Sequence, residues 1–317
     1  MTRHDIRLTG PESRGARISS RVLSELTNRL TDTAVRAVRL AAEGRSNLQG
    51  RPGRIAATAD FDILGLSEGS TVLMIEQRSL SELAPDIFTQ LSGPSWQDNN
   101  PYSGMSALGI LQLTIQDVSN GNTESDRLDE NILLSVHKFR SILELGFDTL
   151  TLYTGSWKDA RNSYSTIDRT VLDTVDKLRQ ITPPNQRIIA SGTLDELAGS
   201  KRTFIIKQAD GSQIRGILPS GDPADFARYF GQQIVVDGEA VFRPSGQLSH
   251  LVVTGIHAAT ENDAIWENVP IQVSTSGSIG APRSQIAQRR NQLAMVRGKW
   301  PGNESDEELV AALEEIS

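Results

Sequence analysis

Cysteine is absent from this chain, which removes disulfides, thiolate catalysis, zinc-thiolate sites and iron–sulfur ligation by Cys. The absence suits a reducing compartment, and the expectation is a cytoplasmic protein. Histidine is scarce as well. His4, His137, His250 and His257 form no HExxH motif, no nucleophile elbow and no triad spacing. Aromatic residues make up only 5% of the chain, so stacking surfaces are few. Long apolar runs are missing: no stretch approaches the roughly 20 residues of a membrane span, and MTRHDIRLTGPESRG lacks the apolar centre of a signal peptide. The glycine-rich SGSIGAPRS at 276–284 lacks a Gly-Lys-Ser/Thr ending and a preceding strand, so it reads as a linker rather than a phosphate loop. No cofactor and no metal is expected, and the chain reads as a non-enzyme.

What is present is a soluble composition, 38% hydrophobic and 22% charged, in a chain of 317 residues, long enough for two cores. The net charge of −7 is unevenly spread. Residues 1–54 carry eleven Arg against five acids, and 55–185 carry nine basic and eighteen acidic residues. Residues 186–259 carry seven of each sign, and 298–317 set one Lys against six acids.

The pattern divides the chain as follows. Residues 1–17 read as a flexible basic start and 18–182 as an α+β domain. In the latter, Leu23, Leu26, Leu30, Ala34, Val38 and Ala41 recur at helical spacing and Gly44 closes the helix. Arg21, Arg29, Arg36 and Arg39 occupy its other positions, as a solvated face or as phosphate contacts. GRIAATADFDILGLSEGSTVLMIEQ reads as a hairpin, with Asp60 and Asp62 on one strand face, where paired carboxylates form either a wet surface or an acidic site. Helices follow near Met105–Val118 and Asp129–Leu145. FDTLTLYTG reads as a strand and STIDRTVLDTVDKLRQI as a helix, ended by Pro183-Pro184, the strongest boundary signal in the chain.

Residues 186–259 change character to three strand-like runs, one short helix with Asp222 at its cap, and two further strands, with Asp210-Gly211 as a hairpin turn. Gly192 and Gly238 fall inside strands, where a small barrel must bend. The order resembles an all-β, OB-fold-type five-stranded barrel with one helix; an SH3-like or other small barrel stays open. The resemblance implies binding of single-stranded nucleic acid or oligosaccharide on the face of strands two and three. The residues that match are Lys201, Arg202, Phe204, Lys207 and Arg215, with Phe242 and Arg243 on the fourth strand. Read by themselves, the neutral charge of the segment argues against a strong phosphate field, and Phe204, leading the run FII, suits a barrel core.

Residues 260–297 read as an extended linker arm made locally basic by Arg283, Arg289, Arg290 and Arg297. Residues 298–317 then give a Trp300-Pro301-Gly302 turn and a capped acidic amphipathic helix. Ser305 and Glu308 form a capping box, and Leu309, Leu313 and Ile316 share a face. So short a helix is marginal alone and must dock, either on its own chain or in a partner's groove. The layout resembles the C-terminal arms of bacterial antitoxins that neutralise ribonuclease toxins of the PIN-domain type. That resemblance implies a protein partner, such as a small toxin, for 283–317. Arg289, Arg290, Arg297 or Lys299 would plug the toxin's acidic site, and Trp300, Leu309 and Leu313 would dock. Two functions follow as expectations: a regulatory interaction protein acting through this arm, or a single-stranded nucleic-acid-binding protein acting through the barrel and the N-terminal arginines.

Overall fold

In a computed structural model that describes residues 1–47, 54–67, 70–88, 102, 104–198, 202–218 and 223–260, the first element is a strand, β1 (Thr2–Thr9). A flexible start is the expectation here, and the structure overturns it. His4, Ile6 and Leu8 alternate with Arg3, Asp5 and Arg7, and the first three are buried. Charge on every second residue disguises a half-buried strand. By their contacts the residues fall into two units, Met1–Ser274 and Thr275–Ser317, and every described residue belongs to the first. The expectations for Lys201, Asp222, the linker arm and the C-terminal helix lie outside the described residues.

Helix α1 (Ser20–Glu43) starts where the Ser19 hydroxyl accepts from Val22 N at 3.3 Å and ends at Gly44, whose φ of 71° is left-handed. Its arginines answer the question the sequence leaves open. Arg29 pairs with Glu25 at 2.7 Å, Arg36 with Asp32 at 3.2 Å and Arg39 with Glu43 at 3.0 Å, each one helical turn away. Such pairs contribute about 0.3–0.5 kcal/mol each, so these cations serve the helix.

Short α2 (Arg54–Thr58) replaces the first half of the expected hairpin. The hairpin itself is β2 (Asp62–Ser67) and β3 (Thr71–Gln77). Asp60 precedes the strand, where its Oδ1 accepts from Phe61 N at 3.0 Å, so the two aspartates do not share a strand face. After α3 (Leu80–Leu83) and α4 (Pro85–Phe88) comes α5 (Ala107–Ser119), capped by Ser106. The helix expected over 129–145 is two, α6 (Glu130–His137) and α7 (Arg140–Glu144). Strand β4 (Thr149–Thr154) pairs with β5 (Tyr164–Ile167), a strand hidden in the sequence by the helix it runs into, α8 (Arg169–Ile181).

The first sheet is antiparallel in the order β2-β3-β1-β4-β5, so the N-terminal strand is central. One face, with Ile6, Leu73, Ile75, Leu150, Leu152 and Ile167, packs with Leu26, Leu30, Leu111, Ile115 and Val175 of the helices into the larger core.

The second sheet comprises β6 (Gln186–Ala198), β7 (Thr203–Lys207) and β8 (Gln213–Ile217), then α9 (Pro223–Ala227), then β9 (Gln233–Phe242) and β10 (Leu248–Ala258). Its order, β10-β8-β7-β6-β9, closes on itself: β9 pairs with both β6 and β10, and β8 meets β10 through the parallel pairs Leu251↔Gly216 and Val252↔Ile217. Side chains of Ile188, Leu194, Phe204, Ile206, Ile214 and Phe242 fill the inside. A Cβ on Gly192 would stand 2.7 Å from Lys207 O, the close backbone approach that only glycine permits.

Chain boundary and contact boundary differ. Val241 and Val252, on the outside of the barrel, belong to the first core rather than the barrel's own. Ser245 N donates to Thr123 O at 3.0 Å, and His250 Nε2 bonds the Gly44 carbonyl that ends α1. The two sheets therefore share packing across the double proline.

Candidate nucleic-acid interface

Strands β7 and β8 present the outward face that the sequence resemblance to an OB-type barrel singles out. Alternation assigns the side chains: Phe204, Ile206 and Ile214 point in, and Thr203, Ile205, Lys207, Gln213, Arg215 and Ile217 point out. The register sets Ile205 opposite Arg215 and Lys207 opposite Gln213. Lys207 and Arg215 are exposed, and no acid occupies an outward position of these two strands. Acid enters from the neighbouring strand, where Glu196 pairs with Ile205 beside an exposed Asp195.

Three residues expected on this surface are elsewhere. Phe204 is 1% exposed and sits 5.5 Å, ring to ring, from Phe226 of α9, so it holds the helix over the barrel's interior. Phe242 is likewise interior. Arg243 turns to the first domain, where its Nε donates to Asp126 Oδ1 at 2.9 Å and Nη1 lies 3.7 Å from Glu124. Burial works to raise the Asp126 pKa, yet hydrogen bonds from Arg243 and Ser249 and the charges of Arg243 and Arg215 hold the carboxyl below its usual range. Arg202 is exposed with a φ of 53°, at the edge of β7. Of the seven residues expected there, the described face retains Arg202, Lys207 and Arg215.

Ile217 and His250 abut Gly44, so the β8–β10 margin of the face is covered by the end of α1. Stacking rings are missing from the outward positions of β7 and β8. Phe230, 60% exposed, and Tyr229, with Arg228 4.7 Å from its ring, lie instead after α9. The half-buried Tyr153 and Trp157 and the exposed Tyr164 lie on the other sheet and its loop. Sequence spacing offers no signal for them, because their neighbourhood depends on β1 being the central strand.

No protein-family model matches the chain, and no curated protein matches it in sequence. Among solved structures, the U. maydis replication protein A bound to ssDNA is similar to part of it, at 17% identity and a TM-score of 0.18. That match covers 37% of this chain and 88% of the other. At that score the likeness says nothing about what the chain binds.

Two of the four histidines, His4 and His250, are buried. His4, expected in a mobile start, is fully buried: Nδ1 faces Tyr153 O at 3.2 Å and Nε2 faces Ser106 Oγ at 2.7 Å. Burial lowers its pKa from 6.5 to about 4, against the opposing pull of the Tyr153 carbonyl and Asp5. Burial also lowers His250. His137 lies 2.7 Å from Asp176, which Arg140 also reaches at 2.8 Å. Among the described residues, no group of three or more His, Asp and Glu is placed to hold a metal, and no helix is long and apolar enough to cross a membrane.

Proposed function

We propose that the chain is a single-stranded nucleic-acid-binding protein without a reaction of its own, and that residues 186–258 are an OB-type barrel whose β7–β8 face contacts the strand. The observation that supports this is the pair of exposed cations Lys207 and Arg215 on adjacent strands of the closed ring, with no acid on the outward side of either. Two phosphate contacts give modest, salt-dependent affinity, with a log–log slope of about −1.4 for single strands. Fluorescence anisotropy with labelled dT20 and rU20 at two salt concentrations tests this. The double variant Lys207→Glu/Arg215→Glu should lose most of the affinity and flatten the slope; wild-type affinity without any salt slope would sink the phosphate contact.

A second reading assigns residues 283–317 to a protein partner, in the manner of an antitoxin arm. It is favoured by the sequence alone: a Ser305/Glu308 capping box with Leu309, Leu313 and Ile316 on one face, in a helix too short to stand undocked. A synthetic 283–317 peptide should then compete the full chain off a purified partner with defined stoichiometry. A partner that binds the truncated chain equally well would refute it.

A further inference from the structure

The first sheet has a second face, and its composition is unlike the first. Along one cross-strand row, Met74, Asp5, Tyr153 and Tyr164 are successive neighbours from β3 through β1 and β4 to β5. Tyr153 and Tyr164 lie ring to ring at 5.5 Å, and Tyr164 is 56% exposed at the sheet edge. Arg7 occupies the next row, beside Thr151. The loop after β4 returns over this face: Trp157 N donates to Asp5 Oδ2 at 3.0 Å, and the Trp157 ring lies 4.8 Å from the Arg7 guanidinium and 5.8 Å from Lys158 Nζ. Arg3 stands on the same side, with its Nε 2.9 Å from Asp5 Oδ1.

Three aromatic rings, with Arg7 and Lys158 beside one of them, thus share one end of the sheet with the buried Asp5 and its partner Arg3, in a chain with few aromatic residues. Asp5 is fully buried, and its charge is met by Arg3 and the Trp157 amide. Arg7 and Lys158 leave this cluster net positive inside a chain whose total charge is −7. Acid enters at Glu76, directly opposite Arg3, and at Asp62 opposite Glu76, so the positive charge beyond these pairs is that of Arg7 and Lys158. A half-exposed ring offers a π-face that any base can stack on, and cations spaced between rings suit the phosphates that join successive bases. The complementary ligand is therefore a single strand, whose bases are unpaired and whose backbone is anionic.

We propose that this face is a second contact surface for single-stranded nucleic acid, with Tyr153, Trp157 and Tyr164 as base-stacking platforms and Arg7 and Lys158 as the cations along the backbone. The proposal rests on the reading that the chain binds single strands, and it supplies the stacking that the outward positions of β7 and β8 lack.

Anisotropy titrations of the full chain against labelled dT20 and rU20 test it beside the barrel variant. Tyr153→Leu/Tyr164→Leu and, separately, Lys158→Glu should each weaken binding about fivefold or more while melting near the wild type. The DNA and RNA arms distinguish the two sources of the strand. Wild-type affinity in both variants, with binding lost in Lys207→Glu/Arg215→Glu, overturns this surface and leaves the barrel reading intact. No binding by the wild-type chain overturns both. Should the tyrosine variant unfold, ultraviolet crosslinking of the wild-type chain to the same strands, mapped by mass spectrometry, decides. Adducts at 153, 157 or 164 support the surface, and adducts confined to 186–258 refute it.

Discussion

Two buried imidazoles tie the stability of this protein to pH. The folded pKa of His4 lies at about 4, below its ordinary 6.5, so between these values the unfolded chain takes up a proton that the folded chain refuses. Stability from this residue is therefore undiminished above pH 6.5, falls as the pH drops, and is fully lost near pH 4. The loss is on the order of 3 kcal/mol. His250 acts in the same direction, so the two add. Thermal melts between pH 7.5 and 4.5 should show a steep acid-side fall, and a His4→Gln variant that folds should show a shallower one. Gly44 is the other decisive residue. It needs a φ of 71° to end α1, and a Cβ there would meet His250 Nε2 at 2.7 Å. Gly44→Ala should cost about 1–3 kcal/mol in denaturant unfolding, more than the left-handed backbone alone would account for.

At the scale of elements, the barrel depends on a ring that the sequence also offers to a ligand. Phe204 fills the interior against Phe226, so Phe204→Ala should destabilise the protein by about 3–5 kcal/mol; unchanged unfolding would contradict its interior place. The β9–β10 turn is held to the first domain by Arg243, Ser249 and Asp126. Asp126→Asn removes the charge but keeps the shape. Because the folded carboxyl is depressed, the bond's contribution is present above pH 3.8 and lost as the pH falls through the lower folded value. At neutral pH the substitution should speed amide exchange in 122–126 and 243–249 without touching the strands of either core. The elements also show what a sequence reveals. Helices α1, α5 and α8 are legible because apolar residues repeat every three or four positions and Ser19, Ser106 and Asp168 cap them. Strands β1 and β5 are not. The first alternates charge with apolar residues over eight positions, and the second is four residues long and abuts a helix cap. Both short signals yield to stronger ones beside them. The barrel reads well because glycines and turns punctuate its strands. Its candidate site reads poorly: Arg243 is an exposed cation in any local window, and its acid lies 117 positions away.

Across the whole molecule, Val241 and Val252 join the outside of the barrel to the first core. Two units that meet only through a polar linker melt separately, whereas shared apolar packing couples them. Calorimetry of the full chain should therefore give one cooperative transition whose van't Hoff and calorimetric enthalpies agree. Two resolved peaks would mean that the interface contributes little. Removing residues 283–317 should leave that transition in place, because both cores lie within residues 6–253.

The sequence alone determined the places of α1, α5 and α8, the break at Pro183-Pro184, the run of five strands after it, and the absence of cysteine chemistry. Each is a local matter of spacing, backbone restriction or composition. Only the tertiary structure decided that the N-terminal residues form the central strand, that Arg243 and His250 bind the barrel to its neighbour, and that Tyr153 meets Tyr164 while Trp157 meets Arg7. Those outcomes depend on which distant segments become neighbours, and sheet pairing and burial fix that through contacts that no local pattern encodes.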